Sequence, residues 1–304
     1  MASSITNPNL VIASEQAIME SQRGIAFAKQ FTTDFSGEMK GIGSTISVPV
    51  FSGDADEYSE EQESVNDFET TDGSIIPVNV ALSNLVKVTY KIGMKDLTDI
   101  NKAATFRNAG IAGGRAIGRK LEELICGKFT YDKRVGMYDS FTVAKLGKAI
   151  AAAEKADIDP ATIVAVFTAD AYGDLLDSNI ANAAIANGQS IAEALGFKYG
   201  IKAILTSAKL PANATSGTDG KVCGVLCPDN AIAICGRGID QAVEGTYAEY
   251  GVSEDEKSGL PITTFVHGSP ARNAGFLNVA CQLGVKLTRE NSNKAPGFMQ
   301  LVAA

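Results

Sequence analysis

Between Lys40 and Lys87 the chain carries nine carboxylates (Asp54, Asp56, Glu57, Glu60, Glu61, Glu63, Asp67, Glu69 and Asp72) and no Lys or Arg. A stretch so charged and so poor in apolar side chains cannot build a core of its own. Its flanks must carry it, and both flanks alternate. Ile46, Val48 and Val50 are separated by polar or small residues, as are Val78, Val80 and Leu82, and the period continues through Val86, Val88, Tyr90 and Ile92. Such alternation predicts half-buried strands. The acidic segment is therefore expected to tip a long β-hairpin projecting from a body.

The acidity is local. The nine carboxylates exceed the net charge of the whole chain, −8, so the remaining residues sum to +1. Residues 87–134 hold eleven Lys and Arg against five acids. Adjacent blocks of opposite sign suggest a surface that meets another copy of itself.

After the hairpin comes the longest helical stretch, residues 95–128. Ala103, Phe106, Gly110, Gly113, Ile117, Leu121 and Leu124 recur at three- and four-residue spacing and form one packing stripe. Gly110, Gly113, Gly114 and Gly118 each cost a helix interior about 1 kcal/mol relative to Ala. Close approach of a sheet or a neighbouring helix is needed to offset them. Upstream, residues 11–31 read as a loosely amphipathic helix interrupted by Gly24, followed by an exit marked by Gly37, Gly41 and Gly43, and the whole N-terminal stretch reads as an arm.

From Ser140 the pattern becomes a compact α/β alternation. Val143, Leu146, Ile150 and Ala153 mark a helix closed by a turn at 157–160, then 162–167 is a strand and 169–176 a helix. Ser190 and Glu193 form a capping-box pair, with Gly196 placed to end the short helix they start. Strands at 201–206, 222–226 and 231–235 complete this second unit, and strands at 262–266 and 276–287 return the chain to the first. At 304 residues and 45% apolar content, a core divided between two domains is expected. The N-terminus has no basic region followed by an apolar stretch, and no apolar run approaches bilayer length, so a soluble protein made in the cytoplasm is expected.

Chemistry finds few footholds. Catalysis usually recruits His, and the single one, His267, falls within an expected strand, where a structural hydrogen-bond donor is the plainer reading. The glycine cluster 110–118 fits neither G-x-G-x-x-G nor the P-loop, and in mid-helix its N–H groups are already committed. An EF-hand register starting at Asp54 places Ser59 where Gly is needed and Val65 where Glu is needed. A looser cation site among Asp54, Asp56 and Glu57 stands as the alternative to a solvated acidic loop. Cys223, Cys227 and Cys235 raise a zinc question, but they lack C-x-x-C spacing and sit in two apolar strands around a 228–230 turn. Five cysteines without a signal peptide are expected as free thiols. The basic footprint around Arg107, Arg115, Arg119 and Lys120 is followed at once by Glu122 and Glu123, which argues against sequence-specific nucleic-acid recognition.

The order of these parts resembles that of the Hong Kong-97-type major capsid proteins of tailed bacteriophages. The residues that carry the resemblance are the passage Val86-Lys-Val-Thr-Tyr-Lys-Ile-Gly-Met-Lys-Asp-Leu97 and a closing module with Gly245-Thr-Tyr-Ala-Glu-Tyr250, Ser258-Gly-Leu-Pro261 and residues 276–287. It extends over nearly the whole chain. The resemblance implies an α+β fold with an N-terminal arm (1–45), a β-hairpin extended loop (46–85), a peripheral domain with a spine helix (86–140), a compact α/β axial domain (141–260) and C-terminal strands returning to the peripheral domain (261–304).

It further implies a non-enzymatic shell protein, without cofactor, metal or membrane, whose hexamers and pentamers close into an icosahedral phage head around double-stranded DNA. Such a protein is assembled in the host cytoplasm and resides in the virion, with a portal as partner. In that family the extended loop lies across the peripheral domain of a neighbouring subunit. The acidic tip is accordingly expected to meet basic groups there, with Arg107, Arg115, Arg119, Lys120, Lys133 and Arg134 as candidates. Some members weld their shells through an extended-loop lysine; no Lys stands between Lys40 and Lys87, so no such crosslink is expected. With the arm starting at Met1, a separate scaffolding protein is the expected arrangement. An encapsulin-like nanocompartment shares the same layout, and a soluble α/β enzyme with an acidic lid is the reading from a different class.

Overall fold

The computed structural model describes residues 8–40, 43–52, 74–92, 99–156, 158–178, 199–214, 220–239, 249–254, 259–269, 274–288 and 297–304. The first part of the chain forms α1 (Pro8–Ala28), β1 (Thr32–Lys40), β2 (Thr45–Ser52), β3 (Ser74–Ala81), β4 (Asn84–Ile92) and α2 (Asp99–Cys126). Then come β5 (Gly136–Phe141), α3 (Leu146–Glu154), β6 (Ile163–Phe167), α4 (Ala169–Leu176), β7 (Ala203–Thr206) and β8 (Val222–Pro228). The remainder is strand: β9 (Ile232–Ile239), β10 (Glu249–Glu254), β11 (Pro261–Ser269), β12 (Ala274–Leu287) and β13 (Met299–Ala303). No helix among the described residues is long and apolar enough to cross a membrane.

The strands form three sheets. One has the order β1-β9-β12-β11-β10, with β4 also paired to the long β12; a second runs β5-β13-β8-β6-β7; the third is the β2-β3 pair. The fold is thus α+β, with α1 and α2 layered on one face of the six-stranded sheet. Leu277 of β12 is buried with Leu10, Ala13, Phe106 and Ala109 of the two helices, and Val279 lies against Gly113.

The glycines of α2 find both kinds of neighbour that the sequence required. A Cβ added at Gly110 would run into the Ala13 carbonyl, and one at Gly114 into that of Ala17. At Gly113, on the other side of the helix, an added Cβ would stand 2.6 Å from the Cβ of Val279. Gly24 does not interrupt α1; it abuts Gly118, where the two backbones meet. Residues 8–40 are therefore a packed helix and strand rather than an arm, with Leu10, Ala13, Ala17, Ile25, Phe27 and Ala28 all buried. The seam is built of small residues, so α1 buries its face without the polarity contrast that marks an amphipathic helix. Residues 1–7 and 41–42 of the expected arm lie outside the described residues.

The hairpin stem pairs in continuous antiparallel register from Thr45↔Ala81 to Ser52↔Ser74. It does not stand free of the body. Ile46, Val48, Val50, Val78, Val80 and Leu82 are buried together with Ala233 and Cys235 of β9. Gly284 of β12 permits this approach, since a Cβ there would sit 2.6 Å from the Ala81 carbonyl oxygen and 2.8 Å from Val80 Cγ1. Pro49 and Pro77 face each other across the stem, both exposed. Neither can donate to a ladder, and in a pair whose amides point outward this removes a donor from each edge and blunts further strand addition.

Two strands sit in a different sheet from the one expected. Of residues 231–235, read with the 141–260 unit, 232–235 belong to β9 in the six-stranded sheet. β13, read as returning to the peripheral domain, instead closes the five-stranded sheet between β5 and β8. The tight turn after Pro228 hands the chain from one sheet to the other, with the Ala231 N–H donating to the Pro228 carbonyl and the Thr32 N–H to that of Asp229. β8 and β9 are both buried almost throughout, so apolar content alone does not say which sheet each joins.

Cys223 and Cys227 consequently lie in one sheet and Cys235 in the other. All five cysteines are free thiols. Burial pushes Cys126 up to about 12 and Cys235 up to about 11, and raises Cys227 and Cys281 further. Among the described residues no three His, Cys, Asp or Glu side chains gather as metal ligands. The expected 190–196 helix lies outside the described residues.

Candidate intersubunit surface

All nine carboxylates of the acidic segment lie outside the described residues, as do the passage 93–97 and most of the Gly245-to-Tyr250 module. The structure does sort the six basic candidates. Arg115 Nε is 2.8 Å from Glu20 Oε2, an ion pair that ties α2 to α1. Lys120 Nζ is 2.6 Å from Glu123 Oε1, one turn on; this hydrogen bond, helped by the charge of Lys209, holds the Glu123 carboxyl below its ordinary range. Arg134 is a structural group, donating to the Ala214 carbonyl at 2.7 Å and to Gln300 Oε1 at 3.0 Å, while Gln300 Nε2 donates to the Phe129 carbonyl. It fastens the segment between α2 and β5 to β13. Lys133 is exposed on the 3-10 turn Tyr131–Lys133. Arg107 and Arg119 are exposed, without an ion-pair partner among the described residues.

Beside the point where Gly24 of α1 abuts Gly118 of α2, the two helices leave a groove of about 490 Å³. Glu20, Arg23, Arg115, Arg119, Glu122 and Lys209 line it. α1 supplies Arg23, α2 supplies Arg115 and Arg119, and the chain leaving β7 brings Lys209. Glu122 is buried at 8% exposure and accepts a 2.6 Å hydrogen bond from Ser207 Oγ. That hydroxyl oxygen in turn accepts from the Lys209 N–H at 3.0 Å and from Cys126 Sγ at 3.3 Å, which joins the groove's floor to the β7 edge of the second sheet.

Arg23 and Lys209 were not among the sequence candidates. They reach the groove only because α1 lies along α2 and because the β7 edge abuts the end of that helix. The series Ala13, Ala17, Ser21 and Gly24, matching the small residues of α2, was the available signal.

Among the described residues, His267 is engaged in structural contacts. Its Nδ1 accepts from Asn278 Nδ2 at 2.9 Å, and Thr89 Oγ1 donates to Asn278 Oδ1 at 2.7 Å. The imidazole stacks on Phe276 with ring centroids 5.1 Å apart. The side chain is structural, as its place in a strand suggested, but this nitrogen accepts rather than donates. It bridges β11 to β12 within a polar row that runs on to β4.

The helix pair on a six-stranded sheet, the hairpin stem and the smaller closing sheet together make a fold similar to that of a solved phage capsid. The chain resembles the capsid of Ralstonia phage GP4 with a TM-score of 0.54 at 12% identity, over 90% of this chain and 87% of that one. Lower-scoring resemblances include the capsid asymmetric unit of cyanophage A-1(L), with a TM-score of 0.48, 12% identity and 93% and 92% of the two chains covered. Another is a chain of Mycobacterium phage Che8, with a TM-score of 0.44, 16% identity and 86% and 85% covered. By sequence, neither a family model nor a curated protein matches.

Proposed function

We propose that this chain is a major capsid protein: a structural subunit that assembles with copies of itself into the hexamers and pentamers of an icosahedral phage head. The observation that carries the reading is the extent of the likeness to the Ralstonia phage GP4 capsid, which spans nearly the whole of both chains. The double-stranded DNA inside is held without base readout, and a portal completes the assembly. The function is mechanical. The subunit contributes contact surfaces, with the acidic segment and the basic α1–α2 face as complementary parts of them.

Electron microscopy of the purified protein tests this. Rings or closed particles of megadalton size are expected, and small oligomers alone would overturn the reading. Particles isolated with a peroxidase or ferritin-like cargo in place of nucleic acid would point to a nanocompartment instead.

A further inference from the structure

We infer that two opposite edges of the six-stranded sheet, β4 and β10, are complementary and join between copies of this chain, so that one subunit's sheet runs on into the next. The inference rests on the capsid reading above and specifies one contact within it. Where β11 pairs with the first half of β12, the sheet is four strands wide, with β10 on one margin and β4 on the other. Most edges elsewhere carry a device against strand addition. Pro49 and Pro77 interrupt the hairpin stem, β1 pairs irregularly with β9, and β7 is four residues long. β4 and β10 have no such device: they run for nine and six residues without proline, each in unbroken register with its neighbour. Among the described residues neither has a second strand partner.

Strand direction makes the two edges fit. β10 is antiparallel to β11, β11 to β12 and β12 to β4, so β4 and β10 run opposite ways. Two subunits set side by side with their sheets facing the same way therefore bring β4 and β10 together as an antiparallel pair. The helix layer continues too. α1 lies over β10 and β11 and α2 over β12 and β4, and two helices at about 10 Å each match four strands at about 4.8 Å. A contact between two different edges is head-to-tail, the kind that closes into rings.

The side chains set the register. Val279 of β12 faces α2, so Asn278 and Ala280 point the other way, together with their partners Thr89 and Lys87 on β4. Tyr250 and Val252 of β10 share that outer face, through Phe265 and Thr263 of β11. With Glu254 opposite Lys87, Val252 falls opposite Thr89 and Tyr250 opposite Lys91. Lys87, Thr89, Lys91 and Glu254 are exposed and Tyr250 is half-buried, its hydroxyl donating to the Ile239 carbonyl at 2.6 Å, which fixes the ring. An ion pair and a lysine beside an aromatic ring are favourable cross-strand neighbours. On the helix face Gly251 falls opposite Tyr90, leaving the phenol room. A shift of two residues either way sets Glu254 against Thr89 or Leu85 and loses the ion pair. Two β4 edges meeting each other would instead gather Lys87 and Lys91 of both copies on one ladder, a repulsive arrangement.

An engineered disulfide in the full chain tests the register. Facing residues of an antiparallel pair have Cα atoms about 4.5–5.5 Å apart, within disulfide reach. The double variant T89C/V252C, oxidised after assembly, is expected to give a covalent ladder of oligomers on a non-reducing gel, while T89C alone and V252C alone give none. Four of the five native cysteines are buried, which keeps the background low. The misaligned pair T89C/E254C is expected to crosslink about tenfold less. Rings that form without a T89C/V252C crosslink overturn the inference. Dimers from T89C alone do so equally, since β4 would then be meeting its own copy.

Charge exchange gives a second readout. K87E and E254K, both at exposed positions, are each expected to reduce ring formation at low salt by about threefold, an effect that fades in high salt. The double variant K87E/E254K is expected to recover it, because every contact again joins opposite charges. Lys87 and Glu254 stand on opposite margins of one subunit's sheet, so recovery arises only between copies. Single variants that assemble normally, or a double variant that does no better than they do, overturn the inference. Failure of the unaltered protein to form rings or particles would overturn the capsid reading and this contact with it, a result distinct from rings that form without the crosslink.

Discussion

A single methyl group at Gly114 is enough to test the α1–α2 seam, because the Ala17 carbonyl already occupies the space a Cβ would need. Gly114→Ala is expected to destabilise the subunit by about 1–3 kcal/mol, the usual cost of overpacking, despite the better helix propensity of Ala. Gly173 in α4 has nothing within 4 Å of the same added atom, so Gly173→Ala should gain about 0.5–1 kcal/mol. Urea unfolding of the unassembled protein separates the two by sign.

The buried thiols make a second expectation. Cys126 and Cys235 have pKa values raised by burial, to about 12 and about 11, while in the unfolded chain a thiol ionises near its ordinary value of 9.0. The unfolded state therefore releases these protons first. Their contribution to stability is complete below pH 9 and is lost as pH rises from there towards 12. Unfolding midpoints measured across that window should fall, and replacing Cys126 with Ala should flatten part of the slope.

The hairpin stem and α1 show what periodicity can and cannot disclose. The alternation at Ile46, Val48 and Val50 located β2, since a half-buried strand must repeat every two residues, but the period from Val78 to Ile92, read as one long strand, is broken after Ala81 into β3 and β4, which lie in different sheets. It did not disclose that the inner face is covered by Ala233 and Cys235 of the same chain, because a buried face looks identical whichever partner covers it. α1 failed for the opposite reason: its burial depends on Ala13, Ala17 and Gly24 admitting another backbone, and small residues carry little hydropathy contrast. Val48 is 1% exposed. Val48→Ala should cost the unassembled subunit about 1–3 kcal/mol if the stem is docked as described. A change within error would show a stem held only by neighbours.

Over the described residues the two larger sheets are laced together rather than strung in series, and this is where reading by linear boundaries stops working. β8 and β9 are consecutive yet belong to different sheets, and β13 pairs with strands far upstream. The basic groove has the same character, since Arg23, Arg119 and Lys209 become neighbours only in the folded chain. Leu301, fully buried in β13, is packed with Phe141, Leu226 and Met299. Leu301→Ala should therefore cost about 2–5 kcal/mol and loosen the sheet containing β5, read as lost hydrogen-exchange protection there.

The place of β13 also sets a clock. Among the described residues β5 pairs only with β13, which leaves the ribosome long after it. Until that late strand arrives, the smaller sheet stands open between β5 and β8, and the Arg134–Gln300 fastening just before β5 cannot form. A nascent chain is thus kept from completing its rigid form while still being made. For a subunit that assembles as proposed, such a delay would withhold the finished surface from other copies until synthesis has passed the closing strand.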